Sequence, residues 1–514
     1  MLDDLVMLMA SGVDEDIATM SPLKYHFAPT VPSYMSSGEG VFRLRLLNIR
    51  QPQRVFLVRN GLEFPRFAAR SPAIEPANPG EPTQVHLALT GTPGEMLVQW
   101  VSGPVEGPRV RWTPEDEGLG AAAWRTTDAE TRTYARADLC GAPANGSGWL
   151  DPGSLHAARL EGLRPGRRYR YVVGSEAGGW SAPATFQAGA GPDEEVTIIA
   201  TADLGQTEAD GSLEVDAIAP ASRQTTDRLA AEELNASLLV LNGDLSYARG
   251  YAVQWETFFD QLSPVVRRMP LMTVIGNHER DWPGSGDRFG MAYDSGGECG
   301  VPYELRTGMP AAGRDRPWYS FDHGPVHFLQ YSTEHLFEPG SEQYAFIQRD
   351  LAAVNRSATP WVIVGGHRPM YIDSSFTAAR PDGDQFLARQ LRGALEPLFL
   401  AHGVDVTWHG HHHSYQRTCA LRRGRCEACG ATHVVLGHAG AELTPNTWPR
   451  RPRIFASVQL RHGYARVRAS RETLEHVVLA ADTGEVMDRF VLHAARRRAC
   501  AAGTNAAAEG RDAM

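Results

Sequence analysis

Between residues 196 and 407, five short apolar runs stop just before side chains able to bind a metal; they lie at 196–200, 238–241, 271–275, 361–364 and 404–407. Stretches with apolar spacing near 3.6, at 222–235, 344–355 and 385–401, separate them. Strands alternating with helices commit a chain to a layered α/β domain, whose loops converge at the carboxyl ends of the strands. At those ends the sequence places Asp203, Asp244, Tyr247, Asn277, His278, His367, His411 and His413. Further strands at 434–436 and 474–479 complete a domain expected to span 195–493.

Upstream the pattern is β throughout. With 514 residues the chain is too long for one core. Alternating Val41-Phe42-Arg43-Leu44-Arg45-Leu46 and Arg54-Val55-Phe56-Leu57-Val58 predict strands of an N-terminal β domain at 1–76. A Pro-rich linker at 73–82 follows. Spaced strands over 80–190, among them 96–100 and 168–173, predict a β-sandwich closed by Gly189-Ala190-Gly191-Pro192. The Ala-rich, aperiodic tail at 494–514 is expected to be disordered.

A net charge of −10 argues against binding a nucleic-acid duplex, and no apolar run is long enough to span a membrane. The N-terminus carries Asp3 and Asp4 where a secretory signal would be basic, and Met7-Leu8-Met9-Ala10 is too short for its apolar core. Acceptor sequons at Asn145, Asn235 and Asn355 nonetheless point to a secreted glycoprotein whose signal is not visible in this sequence. Cys426-Glu427-Ala428-Cys429 has CxxC spacing without a second CxxC to complete a zinc site. A disulfide within 419–429 is therefore expected rather than a metal knuckle.

Taken singly, the strand-end residues have plainer uses: Asp as a helix cap, Asn277 in a turn, Tyr247 as a core aromatic. Taken together, oxygen donors (Asp203, Asp244, Asn277, Tyr247) mixed with imidazoles (His367, His411, His413) suit iron, zinc or manganese. Asp244 has two oxygens and is the natural bridge between two ions. Side chains two apart in extended backbone point the same way, so His411 and His413 share a site while His412 turns aside. Glu279 reads as an orienting group beside His278 rather than as a general acid.

Asp203-Leu204-Gly205, Gly243-Asp244-Leu245-Ser246-Tyr247, Gly276-Asn277-His278-Glu279, Val364-Gly365-Gly366-His367 and Gly410-His411-His412-His413 resemble the signature blocks of the purple acid phosphatases, calcineurin-like metallophosphoesterases, in family order. Ser21-Pro22-Leu23-Lys24-Tyr25, Asp294-Ser295-Gly296-Gly297-Glu298-Cys299 and Ser332-Thr333-Glu334-His335 resemble the larger plant-type branch, which includes nucleotide phosphatases/phosphodiesterases. The resemblance implies a multi-domain α+β chain. N-terminal β domains, with a fibronectin-III-like sandwich at 80–190, would precede an α/β four-layer metallophosphoesterase sandwich. It also implies Fe(III) on Asp203, Asp244, Tyr247 and His413, and a second ion (Fe, Zn or Mn) on Asp244, Asn277, His367 and His411.

The implied activity is acid phosphatase action on monoesters of phosphorylated small molecules or nucleotides, by attack of metal-bound hydroxide. A nucleotide pyrophosphatase/phosphodiesterase on the same site, or a non-catalytic extracellular binding protein, are the alternatives. Well-studied plant members carry a histidine pair where this chain has Ile372-Asp373-Ser374-Ser375-Phe376-Thr377, which leaves His278 to assist the leaving group.

Overall fold

Each strand that leads into a candidate donor buries both of its faces, and the two faces meet different neighbours. Ile198, Ala200, Val240, Met272, Ile363 and Val406 share one core cluster, whereas Ile199, Leu239 and Leu241 join a second with Trp255, Phe258 and Leu262. Val362 and Val364 join a third cluster with Ile347, Leu351, Leu391 and Leu395. Strands buried on both faces need a layer on each side, so the period of two dictates helix, sheet, sheet, helix.

The computed structural model describes residues 3–11, 21–62, 64–117, 124–215, 219–233, 235–280, 294–377 and 383–495, with 497, 499 and 500. Its first catalytic sheet runs Leu271–Val274, Leu238–Asn242, Val196–Thr201, Gly463–Ala469, Thr473–Ala480, Val486–His493. The first three of these strands are parallel, and Gly463–Ala469 returns antiparallel beside Val196–Thr201. Helices Pro220–Glu232 and Val253–Val266 cover its outer face. The second sheet has a parallel centre of Val326–Gln330, Trp361–Gly365, Val406–His409 and Ala431–Leu436, covered by helices Glu342–Ala353 and Asp384–Ala401. This is the four-layer sandwich that the family resemblance implies.

Before it stand two antiparallel sheets packed face to face, built on Met96–Ser102 and on Arg168–Ser175, around Trp100, Trp112, Tyr169, Tyr171 and Phe186. The chain begins with a four-stranded sheet ordered Lys24–Phe27, Leu5–Ala10, Gln53–Arg59, Arg66–Arg70. Met7, Leu8 and Met9, weighed above as signal-like, form its buried central strand.

Three expectations need correcting or limiting. Residues 41–46 form no strand: they alternate in burial, yet Val41 is 83% exposed and no neighbouring strand supplies a ladder. Arg45 instead ties the segment to the catalytic domain, donating from its backbone N–H to Asp210 at 2.6 Å and from Nη1 to Asp260 at 2.5 Å. One disulfide, Cys419–Cys426, lies inside the cysteine cluster, but Cys429 pairs with Cys500 and Cys140 with Cys299. The two CxxC sulfurs therefore leave in different directions. Of the tail, residues 496, 498 and 501–514 lie outside the described residues.

Candidate metal centre

Asp203, Asp244, His367 and His411 each sit two residues beyond a strand end, and Asn277 sits three beyond Val274. The loops that carry them are tight. Asp203, Asp244, Tyr247 and His411 have φ of 57°, 52°, 54° and 69°, a left-handed conformation that costs a non-glycine residue energy and concentrates at functional sites.

Two groups of donors form. In one, the Tyr247 hydroxyl lies 3.1 Å from Asp203 Oδ1 and 2.8 Å from His413 Nε2, with His413 Nε2 3.4 Å from Asp203 Oδ1. In the other, Asn277 Oδ1 lies 3.0 Å from His367 Nε2 and 2.9 Å from His411 Nδ1, and Asp244 Oδ2 is 3.1 Å from His367 Nε2. The Asp203 carboxylate joins the groups by accepting the His411 backbone N–H at 3.1 and 2.9 Å. Separations near 3 Å are what donors show around one ion at roughly 2.1 Å each.

The outward atoms of these side chains are already committed. His367 Nδ1–H donates to the Asn242 carbonyl at 2.9 Å and His413 Nδ1–H to the Glu442 carbonyl at 2.6 Å. Asn277 Nδ2 donates to Asp294 Oδ2 at 2.9 Å. What faces inward is imidazole nitrogen, amide and phenol oxygen and carboxylate, atoms whose lone pairs suit a cation. The electrostatics agree. Burial opposes charge on Asp244, but His367 and His278 outweigh it and hold the carboxyl well below its ordinary range. Burial likewise opposes charge on His367, and Asp244 pushes it up to about 10. Burial, with Asp203 and Asp244 beside it, drives the Tyr247 phenol well above its usual value. The donor set fits metal ions.

His278 stands at the rim. Its backbone N–H donates to Asp244 Oδ1 at 3.0 Å, its ring packs on Tyr247 with centroids 4.5 Å apart, and Nε2 lies 3.8 Å from Asp244 Oδ2. Nδ1–H donates to the Asp294 carbonyl at 2.9 Å, which aims Nε2 towards the centre. Glu279 accepts the backbone N–H groups of Asp244, Leu245 and Gly276 at 3.0, 2.7 and 2.9 Å, so it braces two of the loops. His412 turns to Ser414 and Asn446, both at 2.7 Å.

Sequence reasoning missed three supports. Asp294 pins both Asn277 and His278, although it lay within a quoted motif. Asp384 Oδ1 lies 3.6 Å from His411 Nε2 across a distance in sequence that no local pattern reports. Arg368, ion-paired with Glu334 at 2.8 Å, brings Nη1 within 3.3 Å of His411 Nε2.

Comparison with known proteins identifies the family and the fold. Residues 82–188 match the purple acid phosphatase N-terminal domain and residues 196–415 the calcineurin-like phosphoesterases. "Probable inactive purple acid phosphatase 27" of Arabidopsis thaliana is 37% identical over 84% of this chain and 73% of its own length. A "Nucleotide pyrophosphatase/phosphodiesterase" of Hordeum vulgare is 35% identical over 61% of this chain and 88% of its own. A purple acid phosphatase from yellow lupin (Lupinus luteus) seeds superposes with a TM-score of 0.89 at 32% identity, covering 96% of this chain and 91% of that one.

Proposed function

The chain belongs to the purple acid phosphatase family, and on that premise we propose that it hydrolyses phosphate monoesters at a two-metal centre. The supporting observation is the inward convergence of carboxylate, amide, imidazole and phenol atoms from five strand-end loops. Asp203, Asp244, Tyr247 and His413 would hold Fe(III), and Asp244, Asn277, His367 and His411 a second ion, Fe, Zn or Mn. When bound, such ions acidify water and neutralise phosphoryl oxygens during in-line displacement.

The protein's own share is positioning. Asp244 turns Oδ2 towards His367 and has Oδ1 anchored on the His278 amide, and it would serve both ions. His278 Nε2, aimed by Asp294, holds a phosphoryl oxygen or passes a proton to the leaving oxygen. Glu279 keeps the Asp244 and Gly276 loops in register. Displacement without a covalent phosphoenzyme inverts phosphorus once; net retention with a chiral phosphorothioate would defeat that scheme. Three disulfides favour an oxidising, secretory compartment.

A second reading, nucleotide pyrophosphatase/phosphodiesterase action at the same centre, is favoured by the barley relative. Elemental analysis with a visible spectrum tests the centre: two ions per chain and a broad visible band lost in Tyr247→Phe are expected. Turnover of an aryl monoester, an aryl diester and a nucleoside triphosphate separates the two readings. Fewer than one ion per chain and no turnover would leave a non-catalytic protein, the role that the Arabidopsis relative's name suggests for that protein.

A further inference from the structure

Beside the metal centre lies an open cleft of about 690 Å³ lined by Arg389, Arg392 and Arg423, with Trp448 at its edge. Such a gathering is unexpected in a chain of net charge −10. The segments that form its walls carry more arginines (Arg422, Arg425, Arg450, Arg451 and Arg453). Among the described residues none of the three lining guanidiniums is ion-paired. Of the nearby acids, Glu396 also lines the cleft and accepts the Tyr371 hydroxyl and the Arg423 backbone N–H, each at 2.8 Å, while Asp373 accepts the Trp448 backbone N–H at 3.1 Å. Arg392 is fixed by the Met370 carbonyl and lies 4.9 Å over the Tyr371 ring. Burial, with Arg389 adding to it, lowers the Arg392 guanidinium despite Tyr371 and Glu396. Three guanidiniums against one lining carboxylate, Glu396, leave the cleft with an excess of positive charge that favours an anion.

Both walls lead to the metal centre. Arg389 and Arg392 ride on helix Asp384–Ala401, whose first residue faces His411. At 1.5 Å per residue they sit roughly 8 and 12 Å along it. The other wall has Trp448, Pro452, Ile454 and Phe455, and the chain just before it carries Glu442 and Thr444, which accept the Nδ1–H and the backbone N–H of His413. Ile372 lines both the cleft and the narrow gap bounded by Arg368, Asp384 and His411.

We propose that this arginine cleft is a second phosphate-recognition site, which reads the distal phosphates of a multiply phosphorylated substrate whose reacting ester lies at the Asp244–His367 centre. This rests on the metallophosphoesterase reading above, and it adds the class of substrate. Arginine forks bind phosphate bidentately, and Trp448 offers a face to any ring that carries the phosphates.

The test compares the metal-loaded wild-type enzyme with Arg389→Gln/Arg423→Gln, using inorganic tripolyphosphate and p-nitrophenyl phosphate. In the double variant, kcat/KM for tripolyphosphate relative to the monoester should fall about tenfold or more, mainly through KM, two charge-assisted contacts being lost. An unchanged ratio overturns the proposal. If the wild type turns over neither compound, the hydrolase reading has failed, and calorimetric titration with tripolyphosphate still reads the cleft. Binding about tenfold weaker in the variant supports the site, and equal binding rejects it. Should that variant melt early, Arg450→Gln/Arg451→Gln on the exposed rim replaces it, with a smaller loss in the same direction expected and no loss counting against the cleft. Arg66→Gln, on the N-terminal sheet, is the charge control and should bind tripolyphosphate as the wild type does.

Discussion

A Cβ on Gly276 would lie 2.2 Å from Asp244 Oδ1 and 2.6 Å from the Asp244 amide, and one on Gly410 would lie 2.3 Å from Asp203 Oδ2. Gly276 and Gly410 therefore keep space for the carboxylates of Asp244 and Asp203, as Gly243 does for the His367 ring. Gly276→Ala should displace Asp244 by a few tenths of an ångström to an ångström. Activity should fall by about 10²-fold, the scale of a 1 Å misplacement, with a parallel loss of bound metal. Metal content and kcat measured together check this; full metal with full activity would show that the loop absorbs the methyl. The glycines were visible as part of the motifs, but what each one makes room for was not. The left-handed φ at Asp203, Asp244, Tyr247 and His411 was equally hidden, because those residue types announce no such conformation.

Among the secondary-structure elements, those with strong periodicity were legible. The apolar runs at 196–200 and 238–241 emerge as Val196–Thr201 and Leu238–Asn242, and the helical stretch at 385–401 as Asp384–Ala401. Helix Val253–Val266 was not singled out, although Trp255, Phe258, Phe259, Leu262 and Val266 follow helical spacing; it carries Pro264 and is buried nearly all round, which blurs the polar face. Strand Val326–Gln330 was also missed, and its His327 ties three elements together. That imidazole lies 2.6 Å from Asp322 Oδ1 on the adjacent strand and 2.9 Å from Asp350 Oδ2 on helix Glu342–Ala353. Burial lowers it, yet the two carboxylates push it up to about 9. A folded value above the unfolded value of about 6.5 means that the stabilisation is complete below pH 6.5 and disappears as pH rises through about 9. His327→Gln should accordingly melt lower than wild type at about pH 6 and converge with it near pH 10. Equal deficits at both ends of a pH series of thermal melts would rule the ion pairs out as the cause.

For the whole molecule, one buried network clamps the three parts of the chain. Glu256, on helix Val253–Val266, receives Arg50 of the N-terminal part at 2.6 Å, Gln84 of the β-sandwich at 2.5 Å and Arg306 at 2.9 Å. Its side chain is 3% exposed and those of the arginines 5% and 1%. Removing one partner of a buried ionic cluster strands the others, at a cost of roughly 3–5 kcal/mol. Glu256→Ala should therefore lower the unfolding free energy from denaturant melts by that order, against a negligible change for the exposed Glu130→Ala; similar values for the two would remove the clamp. Cys140–Cys299 adds a covalent link between the sandwich and the catalytic part across 159 residues.

The sequence alone determined the family and the layered domain that carries its motifs. Both are written in short windows: donor types after apolar runs, and periods of two and 3.6. Only the tertiary structure decided that Asp294 and Asp384 brace the donors, that Cys429 meets Cys500, that residues 41–46 find no strand partner, and that an arginine cleft opens beside the centre. Those outcomes depend on distances between segments far apart in the chain. Such distances are set by how whole faces pack, and no local window of residues records them.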